Sequence, residues 1–264
     1  MAGLPIWYEL MTPDPGGVAS FYRAVLGWEI PAEGHAMPNG SEYREVRRAD
    51  GGHAGGVLTL TPGMADQGVR PAWLIYFDVD DVDLAVARAQ EMWAQVFMPP
   101  MSMEGVGRMA MIADPQGASL YLMDPTPPPD NPDAQSDVFD PDKAAHCRWN
   151  ELMTHDEGAA RTFYGGLFGW QADHAMDTPG EGTYRIIEAN GAAIGGISDM
   201  RPPGWPVAWM PYFGVADIDA AKDAIGREGG SVFHGPQAVP GGEFVLIATD
   251  PAGANVGFVG PKGP

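Results

Sequence analysis

Apolar and polar positions alternate over short stretches of this chain, and a few segments switch to helical spacing. In residues 5–12, Trp7 and Glu9 fall on one face and Tyr8 and Leu10 on the other, because strand side chains point alternately to opposite sides. Pro13-Asp14-Pro15-Gly16 closes that strand. Asp14 is placed to cap a helix, and Pro15 is tolerated in the first turn. Val18, Phe21, Tyr22, Val25 and Leu26 then follow an i, i+3, i+4, i+7 pattern, which predicts a helix over 16–26 lying on a sheet. Gly27 stands where a left-handed residue ends such a helix. Strands are expected over 43–47 and 54–61, joined at Asp50-Gly51-Gly52, and again over 73–79. A second helix is expected over 82–93, behind Asp80-Asp81, followed by strands at 96–98, 108–113 and 119–123. The last two flank Asp114-Pro115-Gln116-Gly117, a β-turn sequence.

The same plan then repeats. Trp7-Tyr8-Glu9-Leu10-Met11-Thr12-Pro13-Asp14 returns as Trp149-Asn150-Glu151-Leu152-Met153-Thr154-His155-Asp156. Phe21-Tyr22 and Leu26-Gly27-Trp28 return as Phe163-Tyr164 and Phe168-Gly169-Trp170, and the first turn returns as Asp250-Pro251-Ala252-Gly253. A period this long marks a duplicated domain, not a solenoid. The second half is expected to place strands near 147–154, 184–188, 193–198, 209–215, 231–234, 243–249 and 255–259, with helices near 157–168 and 217–228. The intervening stretch is rich in Asp and Pro, which predicts an extended linker. The expected organisation is a first domain over 1–124, a linker over 125–145 and a second domain over 146–264. Each half runs strand–helix–strands twice, so the fold class is α+β, built of four βαβββ-like modules in pairs. Gly55-Gly56 and Gly195-Gly196 interrupt strands, where glycine marks a bulge or a close backbone approach.

Composition narrows the partners. Among 264 residues, 35 are Asp or Glu and 15 are Lys or Arg, a formal charge of −20. That balance argues against nucleic acid and against anionic membrane surfaces, both of which need clustered cations. A single cysteine, Cys147, allows no intrachain disulfide and no cysteine-cluster metal site. No apolar run approaches the roughly 18 residues of a span, and no basic-then-apolar leader is visible, so a cytoplasmic home is expected. No Ser/His/Asp order, Walker loop or dinucleotide fingerprint falls in a strand–loop–helix context.

Three features together resemble a known family. They are Asp14…Phe21-Tyr22…Leu26-Gly27-Trp28, the junction Tyr76-Phe77-x-Val79-Asp80-Asp81-Val82-Asp83, and Asp114-Pro115-x-Gly117, and all three recur in the second half. On these residues the chain resembles the vicinal oxygen chelate (VOC) superfamily of glyoxalase I, bleomycin-resistance proteins and extradiol dioxygenases. It is most similar to tandem two-domain members, which carry a Trp-x-Glu-Leu-x-Thr opening in both halves. The resemblance implies two tandem VOC domains, each a pair of βαβββ modules forming an open curled sheet, a cup that holds a ligand. It also implies a divalent metal held by His, Glu or Gln on the inward faces of the first, fifth and last strands. Counted from the shared anchors, those positions hold Trp7, Leu74 and Tyr121 in the first half and Trp149, Met210 and Gly257 in the second. Apart from tyrosine, a poor ligand, none offers N or O to such a cation. Neither His53 nor His234, the two histidines on or beside expected strands, has a histidine at its repeat position. No metal and no cofactor are therefore expected.

Glu9 and Glu151 remain the sharpest candidates for chemistry. A carboxylate among tryptophans is desolvated, which suits it to acid–base work or to orienting a ligand. The plainer reading is a buried glutamate paired with an arginine or with backbone N–H groups. Tyr43-Arg44 and Tyr184-Arg185 are duplicated and supply candidate partners. Arg108, whose counterpart is Phe244, suits either an anionic ligand in one cup or a place on the rim. Trp7, Trp73, Trp149 and Trp209, with Tyr76, Tyr121 and Tyr212, suit pockets for flat organic molecules, or else core packing. The expected function is binding of a small, mostly apolar or aromatic molecule, without the usual metal, by a monomer or weak homodimer. One alternative is a lyase, isomerase or dioxygenase-like enzyme using a divalent metal or Glu9 and Glu151 as acid–base groups. Another is a structural module whose cups are filled by its own side chains.

Overall fold

A computed structural model describes residues 3–37, 40–176 and 182–263. In chain order the first half contains β1 (Pro5–Thr12), α1 (Pro15–Leu26), β2 (His35–Ala36), β3 (Glu42–Arg47), β4 (His53–Thr59), α2 (Pro62–Asp66), β5 (Ala72–Asp78), α3 (Val82–Glu91), β6 (Gln95–Met103), β7 (Gly107–Ala113) and β8 (Ser119–Pro125). The second half contains β9 (Cys147–Met153), α4 (Glu157–Phe168), β10 (Ala175–Met176), β11 (Tyr184–Ala189), β12 (Ala192–Ser198), β13 (Ala208–Gly214), α5 (Ile218–Arg227), β14 (Ser231–Ala238), β15 (Phe244–Thr249) and β16 (Asn255–Gly260). The strands form two eight-stranded sheets, ordered β2-β3-β4-β1-β5-β8-β7-β6 and β10-β11-β12-β9-β13-β16-β15-β14. The two orders are the same order repeated, an α+β architecture of two like sheets, as the duplication predicts. No helix is long and apolar enough to cross a membrane among the described residues.

The helices form where capping and spacing demand. Asp14 accepts the Gly17 N–H at the start of α1, Gly27 ends it at φ 70°, and Val18, Phe21, Tyr22 and Leu26 are its buried face. Asp156 and Gly169 do the same for α4. One strand outruns its expectation. β6 was expected over 96–98, yet it continues through Pro99-Pro100 to Met103. It lies at the sheet edge, where a missing N–H breaks no ladder. The two-residue strands β2 and β10 and the one-turn helix α2 are too short to leave a periodic signal.

Both readings of the paired glycines hold. A Cβ on Gly55 would strike the Tyr8 carbonyl, and one on Gly195 would strike the Asn150 carbonyl, so the neighbouring strand runs close against each. Pairing also slips at Val46/Arg47 and at Ile187/Glu188, which is a bulge in each half. Residues of the linker are tied down rather than free. The Ser136 hydroxyl donates to the Ile6 carbonyl at 2.6 Å, and Asp137 pairs with Arg48 at 2.5 Å.

Repeats along the chain and compact units in space divide the molecule differently. One unit comprises Met1–Ile6, Ile75–Ser136 and Trp149–Met210; the other comprises Trp7–Leu74, Asp137–Arg148 and Pro211–Pro264. Each unit thus combines modules from both halves. A buried hydrogen-bond relay explains the exchange. In the second unit, Trp73 Nε1 donates to Tyr22 Oη at 2.9 Å, and Tyr22 Oη donates to Asp250 Oδ2 at 3.0 Å. Asp250 Oδ1 accepts the Ala252 and Ala254 N–H groups at 2.9 Å each. In the first unit the same relay runs from Trp209 to Tyr164 at 2.9 Å and on to Asp114 at 3.1 Å. The Phe-Tyr helix of one half therefore bonds the Asp-Pro-x-Gly turn of the other. Burial pushes both aspartates up from their ordinary range and both tyrosines well above theirs. The Trp28 indole adds a bond to the Ala145 carbonyl at 2.9 Å, and Trp170 adds one to Gly3 at 3.0 Å. Each bond joins a residue just past one half's first helix to the entry of the other half's first strand.

Candidate functional site

The glutamates come first, because alternation along β1 and β9 decides their surroundings. Tyr8 and Leu10 are wholly buried in the core, so Trp7 and Glu9 take the opposite face of β1. There Trp7 Nε1 donates to Tyr43 Oη on β3 at 2.6 Å. Glu9 pairs in register with Gly56 of β4, and only 2% of it is exposed. Gly56 is required by its neighbour: any Cβ there would collide with the Tyr43 ring. The second half repeats every part. Trp149 Nε1 donates to Tyr184 Oη at 2.6 Å, Glu151 pairs with Gly196, and a Cβ on Gly196 would collide with the Tyr184 ring. Burial, then the negative charge of Glu151, raise the Tyr184 phenol well above its ordinary pKa, against the lowering effect of the Trp149 N–H. Tyr184 accordingly stays protonated at neutral pH and keeps its O–H to donate.

Each face thus offers an indole, a phenol and a nearly buried carboxylate side by side. Such a set can hold the flat body of an organic molecule while the carboxylate accepts a hydroxyl or amine proton. The first face is the more polar. The His53 ring lies 5.7 Å from Trp7, and its Nε2 is 3.2 Å from Glu45. Counted from the paired glycines, the second half has Ala193 and Ile186 at those places.

Several expected site residues lie elsewhere. Arg44 and Arg185 do not join the glutamates, because residues adjacent on a strand point to opposite faces. Arg44 bonds Glu42 at 2.6 Å, Thr59 Oγ1 at 2.9 Å and the Ala32 carbonyl at 3.2 Å. Arg185 pairs with Glu157 at 2.6 Å and reaches the Asp173 carbonyl at 3.2 Å. Trp73 and Trp209 are core residues, only 4% and 3% exposed, with their N–H groups committed to the tyrosine relays. Leu74 and Met210 occupy the other face of those strands, as counting from the anchors requires. Arg108 is a rim residue, held by Asp83 of α3 at 2.5 and 2.7 Å and by Ser102 at 3.1 Å. Tyr121 stacks on Tyr76, with centroids 4.0 Å apart and planes at 11°. In the second half Tyr212 pairs with Gly257 instead, and its ring fills the space a Cβ there would need.

The residues present do not fit the family's metal. Trp7 and Trp149 are engaged with tyrosines, Tyr121 is stacked, Leu74 and Met210 are apolar and buried, and Gly257 has no side chain. Among the described residues no group of three or more His, Cys, Asp or Glu is arranged to hold an ion. Of the residues that complete the two faces, sequence reasoning missed the role of Gly56 and Gly196. Their signal was duplication itself, since a repeated glycine under a repeated tyrosine implies a ring lying across the strand.

The comparisons agree with this architecture. A model of the "Glyoxalase/Bleomycin resistance protein/Dioxygenase superfamily" matches residues 6–122 and again 143–258. The chain belongs to that superfamily, as two tandem copies. "Putative glyoxylase CFP32" of Mycobacterium bovis is 30% identical over 252 residues, covering 96% of this chain and 92% of that protein. "Anthracycline biosynthesis protein DnrV" of Streptomyces peucetius is 29% identical over 283 residues, covering 97% of this chain and 93% of its own. Among solved structures, the 2,3-dioxygenase LapB of Pseudomonas sp. KL28 matches with a TM-score of 0.64 at 14% identity, covering 100% of this chain and 94% of that one. The Mn(II)-bound glyoxalase of Novosphingobium aromaticivorans matches with a TM-score of 0.63 at 15% identity, covering 98% and 83%. Likeness at that identity speaks for the fold alone.

Proposed function

We propose that this protein binds a small, mostly apolar or aromatic molecule bearing hydroxyl or amine donors, and does so without the superfamily's usual metal. The observation that carries this reading is the duplicated set of Trp7, Tyr43 and Glu9 and of Trp149, Tyr184 and Glu151. Each set joins ring surface to a nearly buried carboxylate, and each tyrosine ring lies where a Cβ on the glycine beneath it would stand. Poor donors at the family's ligand positions support the metal-free part. The relative named for anthracycline biosynthesis supports the ligand class, because anthracyclines are flat, hydroxylated, fused-ring molecules.

The test is a titration of the full chain with 1,4-dihydroxyanthraquinone, followed by quenching of tryptophan fluorescence. Saturable binding is expected, and the double variant Glu9→Gln/Glu151→Gln should weaken it about tenfold, equivalent to roughly 1.4 kcal/mol, by removing charge-assisted hydrogen bonds. Binding that is absent in the native chain overturns the reading. Elemental analysis of chain purified without chelator tests the other half of it: stoichiometric manganese, iron, nickel or zinc overturns the metal-free part. The buried carboxylates also favour a second reading, an enzyme in which Glu9 and Glu151 move protons. In that case the same variants abolish turnover of a substrate while the melting temperature stays unchanged.

A further inference from the structure

The second modules of the two halves share a ladder but present different faces. On β7, Arg108 reaches Asp83 of α3, and Ala110 and Ile112 are fully buried on that same side. Met109 and Met111 therefore face away from the helix. The ladder sets Met101 opposite Met109 and Met109 opposite Met123. In the next row Met98 is opposite Met111, Met111 opposite Tyr121, and Tyr121 beside Tyr76. Directly opposed side chains on one face have Cβ atoms about 4.5–5.5 Å apart, so each row is continuous. With Met103, opposite Gly107 at the end of β6, six of the chain's 15 methionines thus share one sheet face with a stacked pair of tyrosines. Exposure grades along it, from 40% at Met101 on the edge strand to 7% at Met109 and 8% at Met123. The carboxylate on this face, Asp78, is turned to the Leu4 N–H at 2.5 Å.

The second half is an internal control. Counted from the two Asp-Pro-x-Gly turns, Met98, Met101, Met109, Met111 and Met123 correspond to His234, Gln237, Val245, Ile247 and Val259. Tyr121 corresponds to Gly257. The pairing pattern is the same, His234 with Ile247 and Gln237 with Val245, so the ladder needs no methionine. Nor does the hydrophobic effect, which Val and Ile serve as well. What thioethers add is polarisable, adaptable surface that makes favourable contact with aromatic rings.

We propose that the face of β5–β8 turned away from α3 is a binding site for a planar, polarisable aromatic molecule of fused-ring or quinone type, and that its counterpart on β13–β16 is not. This rests on the small-molecule reading above and names its ligand class and its place. The methionine methyls pack against the flat faces of the ligand, and the Tyr76–Tyr121 stack extends the ring surface beneath it.

The test uses the full chain labelled with ¹³C at the methionine methyls and titrated with 1,4-dihydroxyanthraquinone. Ring currents should move the resonances of Met98, Met101, Met109, Met111 and Met123 upfield, while those of Met64 and Met200 stay in place. The variant Met98→His/Met101→Gln installs the second half's own residues at edge-strand positions and should raise Kd about tenfold. The reciprocal variant His234→Met/Gln237→Met should leave Kd unchanged. If the native chain binds while those five methyls stay still, or if Met98→His/Met101→Gln binds like the native chain, the site is overturned. No saturable binding by the native chain would instead overturn the small-molecule reading on which the site rests. The methyl readout needs no variant, so the proposal can fail even where a variant does not fold.

Discussion

Between β1–β4 and β9–β12 the Trp–Tyr–Glu side chains match one for one, whereas between β5–β8 and β13–β16 the faces diverge. Trp7, Tyr43, Glu9 and Gly56 have identical counterparts with the same 2.6 Å indole–phenol bond. Met98, Met101 and Tyr121 have His234, Gln237 and Gly257. Meanwhile the buried relays beneath both faces are the same, Trp73–Tyr22–Asp250 and Trp209–Tyr164–Asp114. The lesson is a separation of duties. The relay on the helix side of each sheet tolerates little change, because every one of its buried polar atoms needs its partner. The other side is free to differ: modestly in the first module, where His53 and Glu45 face Ala193 and Ile186, and most in the second.

The largest effect should come from breaking what the halves share. Tyr22→Phe removes the hydroxyl between a buried indole N–H and a buried carboxylate, leaving both without it, and should cost about 3 kcal/mol in urea unfolding. Tyr164→Phe should cost a similar amount, since its surroundings are the same. A large inequality between them would show that the two relays are not equivalent.

A smaller effect concerns pH. Burial raises Asp114 and Asp250 above their unfolded values, so each favours the fold most when protonated. That contribution is complete below the unfolded carboxylate pKa of about 4 and is lost as pH rises through the raised folded value. Asp250→Asn stays neutral throughout. The stability of the native chain relative to this variant should therefore decline with rising pH in melts across the acid range. A difference independent of pH would refute the assignment.

The smallest effect sharpens the divergence itself. Trp93 follows α3 at φ 71° and is 85% exposed, where the second half uses Gly229 at φ 85°. A bulky residue is strained in the left-handed region, so Trp93→Gly should stabilise the chain by about 1 kcal/mol. A lower melting temperature would mean that Trp93 makes stabilising contacts that outweigh the strain.

Much of this was legible in the residues. Asp14 and Gly27 bound α1 as their chemistry dictates, and alternation placed Glu9 with Trp7 and against Tyr8. Alternation equally decides Trp73: it lies opposite Leu74, so a strand that turns Leu74 one way buries Trp73 the other way. The methionine face was less visible. Pro99-Pro100 masks the continuation of β6, and the ladder must be known before Met98 and Met111 become neighbours. The tyrosine relays were not legible at all, because Tyr22 and Asp250 lie at opposite ends of the chain.

Local pattern thus determined the elements, their ends, the side of the strand each residue takes, and the duplication. Those follow from backbone geometry and the 2.0- and 3.6-residue periods, which act over a few residues. Only the tertiary structure decided which half each module packs with, that the Phe-Tyr helix of one repeat grips the turn of the other, and that scattered methionines share a surface. Such choices rest on contacts between residues far apart in sequence, where no period carries the information.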